Sequence, residues 1–259
     1  MTGYVFGFGL LAVVFAVLFW RSTREAQRLR RRIAIGASDL KNLQQAFSRF
    51  APDEVIERII SEGVTDYGEK KTVTVLFADL VGFTALSEQL EPTVLVGILN
   101  GYFEHMSRTI TDHRGYVSTF IGDGLLAFFG ATDPKPWRGN DCVYAALAMR
   151  EALQSYNKEL KERELPQLAV GIGLHCGTGV VGLMGSTQLK EFAFVGRAVN
   201  VAARVQTPTR QFENDIILTE ALKQTIDPRF ETSQLPDTSV KGVREALAIH
   251  AFDAQSTVT

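Results

Sequence analysis

The 259 residues, 46% hydrophobic and 22% charged, leave room for one domain of ordinary size plus accessory segments. A net charge of −2 provides no basic footprint for nucleic acid. The two cysteines, Cys142 and Cys176, lie far apart with no CxxC or Cys/His cluster, so they suit a reducing compartment and small buried positions rather than zinc.

In chain order, residues 4–20 carry no charge and end on Trp20, with Arg21, Arg24, Arg28, Arg30, Arg31 and Arg32 crowding one flank. The run is short but long enough for a membrane-spanning helix, and the arginines place everything downstream in the cytoplasm. A signal peptide would want a basic start and a small-residue cleavage site, which this segment lacks. Ala26, Leu29, Ile33, Gly36, Leu40, Leu43, Phe47 and Phe50 then recur in steps of three and four, a heptad seam that predicts a short parallel coiled coil, weakest at Gly36. The competing reading is a lone amphipathic helix. Pro52 suits the first turn of a new helix over 52–60, and the polar stretch 61–70, with Gly63 and Gly68, reads as a connector.

Residues 73–84, VTVLFADLVGFT, begin too uniformly apolar for a half-exposed strand and read as a central one covered on both faces. The strand delivers Asp79 and breaks at Gly82, so the backbone N–H groups opening the next helical segment should sit beside a carboxylate, as a metal-bound polyphosphate requires. Residues 91–113 form a helix with an apolar stripe through Val94, Leu95, Ile98, Leu99, Tyr102, Phe103, Met106 and Ile110. Two strands, 116–121 and 125–129, flank the turn Gly122-Asp123-Gly124. If those strands neighbour the first, Asp79 and Asp123 meet, and two such carboxylates suit Mg²⁺ or Mn²⁺. Asp-Gly is also ordinary turn chemistry.

A loop over 132–140 leads to a second helix, 140–163; apolar runs 168–175 and 179–184 follow, with Cys176-Gly177-Thr178 reading as a hairpin or tight turn between them. Residues 192–195 form a further strand, and pieces near 216–218 and 246–252 extend the sheet. The order strand, helix, strand, strand, helix, strand is the ferredoxin-like plan. On the helix GRAVNVAAR, Asn200 and Arg204 are four apart and share a face, where an amide and a fixed charge can hold a triphosphate. An ordinary surface helix is the alternative.

Together FADLVGFTALSE (77–88), FIGDGLLAFFG (120–130) and VGRAVNVAAR (195–204) resemble the signature segments of class III nucleotidyl cyclases, over residues 71–252. The upstream residues, read on their own spacing, give a transmembrane helix (1–21), a coiled-coil stalk (22–50) and a helical connector (51–70), while the resemblance implies an α+β fold with a ferredoxin-like βαββαβ core as the catalytic domain at 71–253, followed by a tail at 254–259. It implies conversion of ATP to 3′,5′-cyclic AMP and pyrophosphate with two Mg²⁺ or Mn²⁺ ions per site, held by Asp79, Leu80 and Asp123. Gly82, Phe83, Thr84 and Lys241 would bind phosphate, Asn200 would position the ribose, and Arg204 would stabilise the transition state. The base-reading positions hold Thr119 and Ala193, which match neither the adenylyl nor the guanylyl pattern. A guanylyl or dual-specificity cyclase, or a non-catalytic signalling module, therefore stays open. In the family the metal ligands and the Asn/Arg pair come from different subunits, so the expectation is a parallel homodimer on the inner (plasma) membrane, single-pass with a short N-terminus outside, regulated through the bilayer or the stalk.

Overall fold

The computed structural model describes residues 53–62, 67–131, 139–186, 188–212, 214–236 and 247–252, with a few single positions between 20 and 41. The expected transmembrane run, most of the coiled-coil seam and Lys241 fall outside these residues. No helix among the described residues is long and apolar enough to cross a membrane. The chain divides into a unit at 1–60 and a unit at 61–259. A first helix, α1 (Asp53–Glu62), straddles that boundary.

Among the described residues the second unit forms an eight-stranded mixed sheet. Its strands are β1 (Tyr67–Leu80), β2 (Gly115–Ile121), β3 (Gly124–Phe129), β4 (Val170–Gly185), β5 (Lys190–Val195), β6 (Ile216–Thr219), β7 (Ser233–Gln234) and β8 (Ile249–Ala251). They run in the order β2-β3-β1-β4-β6-β8-β7, with β5 added to β4. The β2-β3-β1-β4 block is antiparallel throughout and its crossovers are α3 (Pro92–Asp112) and α4 (Asn140–Glu162), so the expected ferredoxin-like core is present. The only parallel pairing among the described strands is β4 with β6.

Strand alternation divides the sheet into two faces. Leu76, Ala78, Leu125, Ala127, Phe129, Ile172 and Leu174 meet Ile98, Tyr102, Met106 and Ile110 of α3 and Val143, Leu147 and Met149 of α4 in one core. β1 reads as uniformly apolar because both its faces are covered: Val73 and Val75 on one side and Leu76 and Ala78 on the other are fully buried. The opposite face receives α5 (Arg197–Gln206), whose Val201 and Val205 pack with Ile217 and Ile249.

Two expectations are corrected. Residues 170–185 form one strand with no turn at Cys176-Gly177-Thr178, because β4 pairs with β1 without interruption from Leu80↔Val170 to Tyr67↔Leu183. Its glycines serve contact with α5: a Cβ on Gly173 would fall 2.4 Å from both Ala202 O and Gln206 N. Residues 67–70, expected in the connector, belong to β1, paired with 180–183 of the same long strand.

Candidate functional site

Asp79 is the penultimate residue of β1 and lies on the α5 face of the sheet, one residue beyond the last β1–β3 pair, Ala78↔Leu125. The β2–β3 hairpin closes beside it. Ile121 pairs with Gly124, leaving Gly122 and Asp123 as a two-residue turn whose first position has φ 63°, a left-handed value that glycine adopts without strain. A Cβ on Gly124 would stand 3.1 Å from Asp79 Oδ1 and 3.0 Å from Ala78 O, so a bare backbone is what lets the hairpin approach the carboxylate. Burial first, then the Asp123 charge, raise the Asp79 pKa, with Arg210 pulling the other way. Tyr102 of α3 is fully buried and its hydroxyl has no hydrogen-bond partner among the described residues; burial, then the charges of Asp79 and Asp123, push its pKa up.

The carboxylate pair faces a cation. Arg210 lies on the short helix α6 (Thr209–Phe212), and its Nη2 donates to Asp79 Oδ2 and to the backbone carbonyl of Leu80, both at 3.1 Å. The backbone beneath is fixed. Thr209 Oγ1 donates to Gln206 O, and a Cβ on Gly171, the register partner of Asp79, would meet Thr209 Oγ1 at 2.2 Å. Sequence reasoning stopped at Arg204 and missed Arg210. The available signal was Pro208, which restarts a helical turn and carries the next arginine back over the sheet.

A guanidinium bridging a carboxylate and a backbone carbonyl, with a second carboxylate alongside, marks a set of hard oxygens that suits a divalent cation such as Mg²⁺ or Mn²⁺. Among the described residues no group of three or more His, Cys, Asp or Glu side chains is placed to hold a metal ion, so the set here is two carboxylates and a backbone carbonyl. After Leu80 the chain turns, with Val81 N donating to Ala169 O, and Gly82 at φ 75° opens α2 (Phe83–Gln89). Gly82, Phe83 and Thr84 follow Asp79 closely in the chain, and no side chain among the described residues caps the first turn of that helix.

Asn200 and Arg204 occupy the outer face of α5, opposite the buried Ala198, Val201, Ala202 and Val205 that meet the sheet. Neither makes a hydrogen bond or ion pair with a described residue, and no described contact joins them to Asp79 or Asp123. The β2–β3 register shifts between Val117 and Thr119, and this bulge turns Thr119 to the face away from α3, where it is exposed. Phe120 falls on the α3 side, its ring 4.3 Å from that of Phe103. On β5, Phe192 and Phe194 turn inward onto Tyr116 and Phe128, leaving half-buried Ala193 on the other side of the strand.

The remaining histidines near the sheet are structural. His175 on β4 lies 2.8 Å from Thr219 Oγ1, and burial, then Arg197, pull its pKa down to about 4, so the ring is neutral. His105 and His113 lie against backbone carbonyls of α3. Cys142 and Cys176 are free and buried, as expected.

A family model described as the adenylate and guanylate cyclase catalytic domain matches residues 65–254. An adenylate cyclase of Anabaena cylindrica is 33% identical over 235 residues, covering 86% of this chain and 45% of that protein. Adenylate cyclase 1 of Rhizobium meliloti is 27% identical over 208 residues, 79% of this chain and 31% of that one. The chain thus spans less than half the length of these two relatives. Among solved structures, the guanylyl cyclase Cya2 superposes with a TM-score of 0.64 at 31% identity, over 71% of this chain and 92% of that one. The adenylyl cyclase CyaB from P. aeruginosa gives 0.66 at 25% identity, over 74% and 100% respectively.

Proposed function

Because this chain belongs to the adenylate and guanylate cyclase catalytic-domain family, we propose that it converts ATP to 3′,5′-cyclic AMP and pyrophosphate as a membrane-anchored homodimer. The observation that carries this reading is the cation cradle of Asp79 and the Leu80 carbonyl, filled by a guanidinium and flanked by Asp123. When bound there, two Mg²⁺ or Mn²⁺ ions would neutralise the polyphosphate and lower the pKa of the ribose 3′-OH. Asp79, Leu80 and Asp123 would hold them.

The remaining chemistry belongs to the chain's own groups. The backbone at Gly82, Phe83 and Thr84 receives phosphate oxygens beside Asp79, with Lys241 as a further phosphate ligand. The Asn200 amide orients the ribose so that its 3′-oxygen lies in line with the α-phosphorus, and the Arg204 guanidinium takes up charge on the α-phosphate as pyrophosphate leaves. Asn200 and Arg204 point outward from α5, away from the sheet that carries their own Asp79. A symmetric dimer supplies them from the partner subunit and forms two identical sites. The upstream heptad seam gives the dimer a parallel tether; of its positions, Ile33 is helical and 68% exposed, as a knob without its partner helix is. Residues 4–20 would anchor the stalk in the inner membrane with the catalytic domain in the cytoplasm.

A second reading, guanylyl or dual specificity, is favoured by the side chains at the base positions. Thr119 pairs with either base edge through one rotatable hydroxyl, and Ala193 offers no polar group at all.

The test is to incubate the purified full-length chain with ATP or GTP and Mn²⁺ and look for cyclic product. Asp79→Ala and Asp123→Ala should each abolish cyclisation with the dimer retained. Full activity in either variant would overturn the assignment.

A further inference from the structure

The cradle already holds a positive charge that the family resemblance did not supply, and its position is specific. Arg210 Nη2 donates to Asp79 Oδ2 and to Leu80 O, each at 3.1 Å, and these are two of the three groups assigned to the metal. An oxygen lone pair engaged by an N–H is not free to coordinate an ion from the same side, so the guanidinium and a divalent cation compete for the same two atoms. Its fixed charge cannot be lost by deprotonation. The side chain can leave only by swinging away.

The surroundings allow that movement. Arg210 is 50% exposed, against 25% for Asp79, so its head group can move into water without becoming a buried unpaired charge. The α6 backbone is anchored by the Thr209–Gln206 hydrogen bond and its close seat on Gly171, so displacement involves one side chain and no refolding. With the guanidinium in place, the two adjoining carboxylates carry a counter-charge and the β2–β3 hairpin can close on β1 without a bound ion.

We infer that Arg210 is the resident cation of the metal cradle, a positioning residue that holds Asp79 and the Leu80 carbonyl together until a divalent ion displaces it. The inference rests on the proposed cyclase site. It sets the metal affinity of the nucleotide-free protein below what the same oxygens would give unoccupied, and it keeps the cradle assembled when no metal is bound. A partly exposed ion pair of this kind corresponds to a competition of about 1.5- to fivefold in affinity.

The experiment measures Mn²⁺ binding to the full chain without nucleotide at pH 8, by the electron paramagnetic resonance signal of free Mn²⁺, for wild type, Arg210→Gln, Arg210→Lys and Asp79→Asn. Arg210→Gln should bind Mn²⁺ about 1.5- to fivefold more tightly. Arg210→Lys, with a compact charge on a shorter stem, should fall between it and wild type. Melting curves supply the second readout: in EDTA Arg210→Gln should melt below wild type, and in saturating Mn²⁺ the gap should close, because the guanidinium is then out of the cradle in both proteins. Unchanged or weaker Mn²⁺ binding by Arg210→Gln, or a melting gap that persists in saturating Mn²⁺, would overturn the inference. If Asp79→Asn binds Mn²⁺ as well as wild type does, the cradle is not a metal site and the proposed function itself fails. Loss of binding in Asp79→Asn together with an unaltered Arg210→Gln rejects only the role of Arg210.

Discussion

Asp79 illustrates how much of the site depends on single side chains. Its pKa is raised by burial and by Asp123, so in the metal-free protein this group stabilises the fold at low pH and the contribution is lost as pH rises through the folded-state value. His175 has the opposite sign. Its folded pKa of about 4 lies below the ordinary 6.5, so its stabilisation is complete above pH 6.5 and disappears as pH falls towards 4. Melting curves in EDTA between pH 7 and 4 should therefore show wild type losing stability on acidification relative to His175→Gln, and gaining relative to Asp79→Asn. At Gly124 the constraint is steric. Gly124→Ala places a methyl 3.1 Å from Asp79 Oδ1 and should lower cyclase activity with little loss of thermal stability, since the hairpin can move outward. For base choice, Thr119 and Ala193 leave pocket shape and backbone groups to discriminate, worth about 1–3 kcal/mol, so kcat/KM for ATP over GTP should be roughly tenfold to a couple of hundredfold. A preference of several thousandfold would remove those two residues from the base pocket.

Elements carry the groups into place, and β4 is the one on which others depend. It pairs with β1 from Val170 to Leu183, with β6 and β5 on its other edge, and seats α5 through its glycines. Gly173→Ala would set a methyl 2.4 Å from two backbone atoms of α5, so the helix bearing Asn200 and Arg204 must lift. The expected cost is about 1–3 kcal/mol, with a fall in activity. Gly97→Ala on α3 meets nothing within 4 Å and should be neutral or stabilising by about 0.5–1 kcal/mol; paired thermal melts compare the two. The start of β6 is held to α4 by Arg150, whose Nε and Nη2 reach the Asp215 carboxylate at 2.5 and 2.6 Å in a largely buried pair. Arg150→Ala leaves that carboxylate without its counter-charge and should cost about 3–5 kcal/mol by denaturant titration.

For the whole molecule, the proposal requires two chains, because Asn200 and Arg204 face away from the sheet that holds the carboxylates. Inactive Asp79→Ala and inactive Arg204→Ala chains should regain activity when mixed, each heterodimer holding one intact site. Absence of recovery despite demonstrated subunit exchange would place the site within one chain. Tethering by the stalk raises effective concentration to about the millimolar range. A chain beginning just before Tyr67, where β1 starts, should therefore show specific activity that climbs steeply with protein concentration, and one retaining residues 26–50 much less so. Identical profiles would remove the coiled coil from the reading.

What the sequence determined by itself was local and periodic. Apolar runs and 3.6-residue stripes defined β1, β2, β3, α3 and α4, their order dictated the ferredoxin-like core, and the turns at Gly82 and Gly122-Asp123 marked where carboxylates would stand. Glycine is ambiguous in sequence, since it serves both turns and close approaches. The Gly-rich middle of β4 therefore read as a break, and only the pairing with β1 and the seat of α5 decided otherwise. The bulge between Val117 and Thr119 is likewise invisible to a period-two pattern, and it alone settles which face Thr119 takes. Tertiary structure also decided the cation. Asp79 and Arg210 are far apart in the chain and meet only because α5 crosses β4 and delivers α6 to the end of β1, a contact between distant residues that no local pattern encodes.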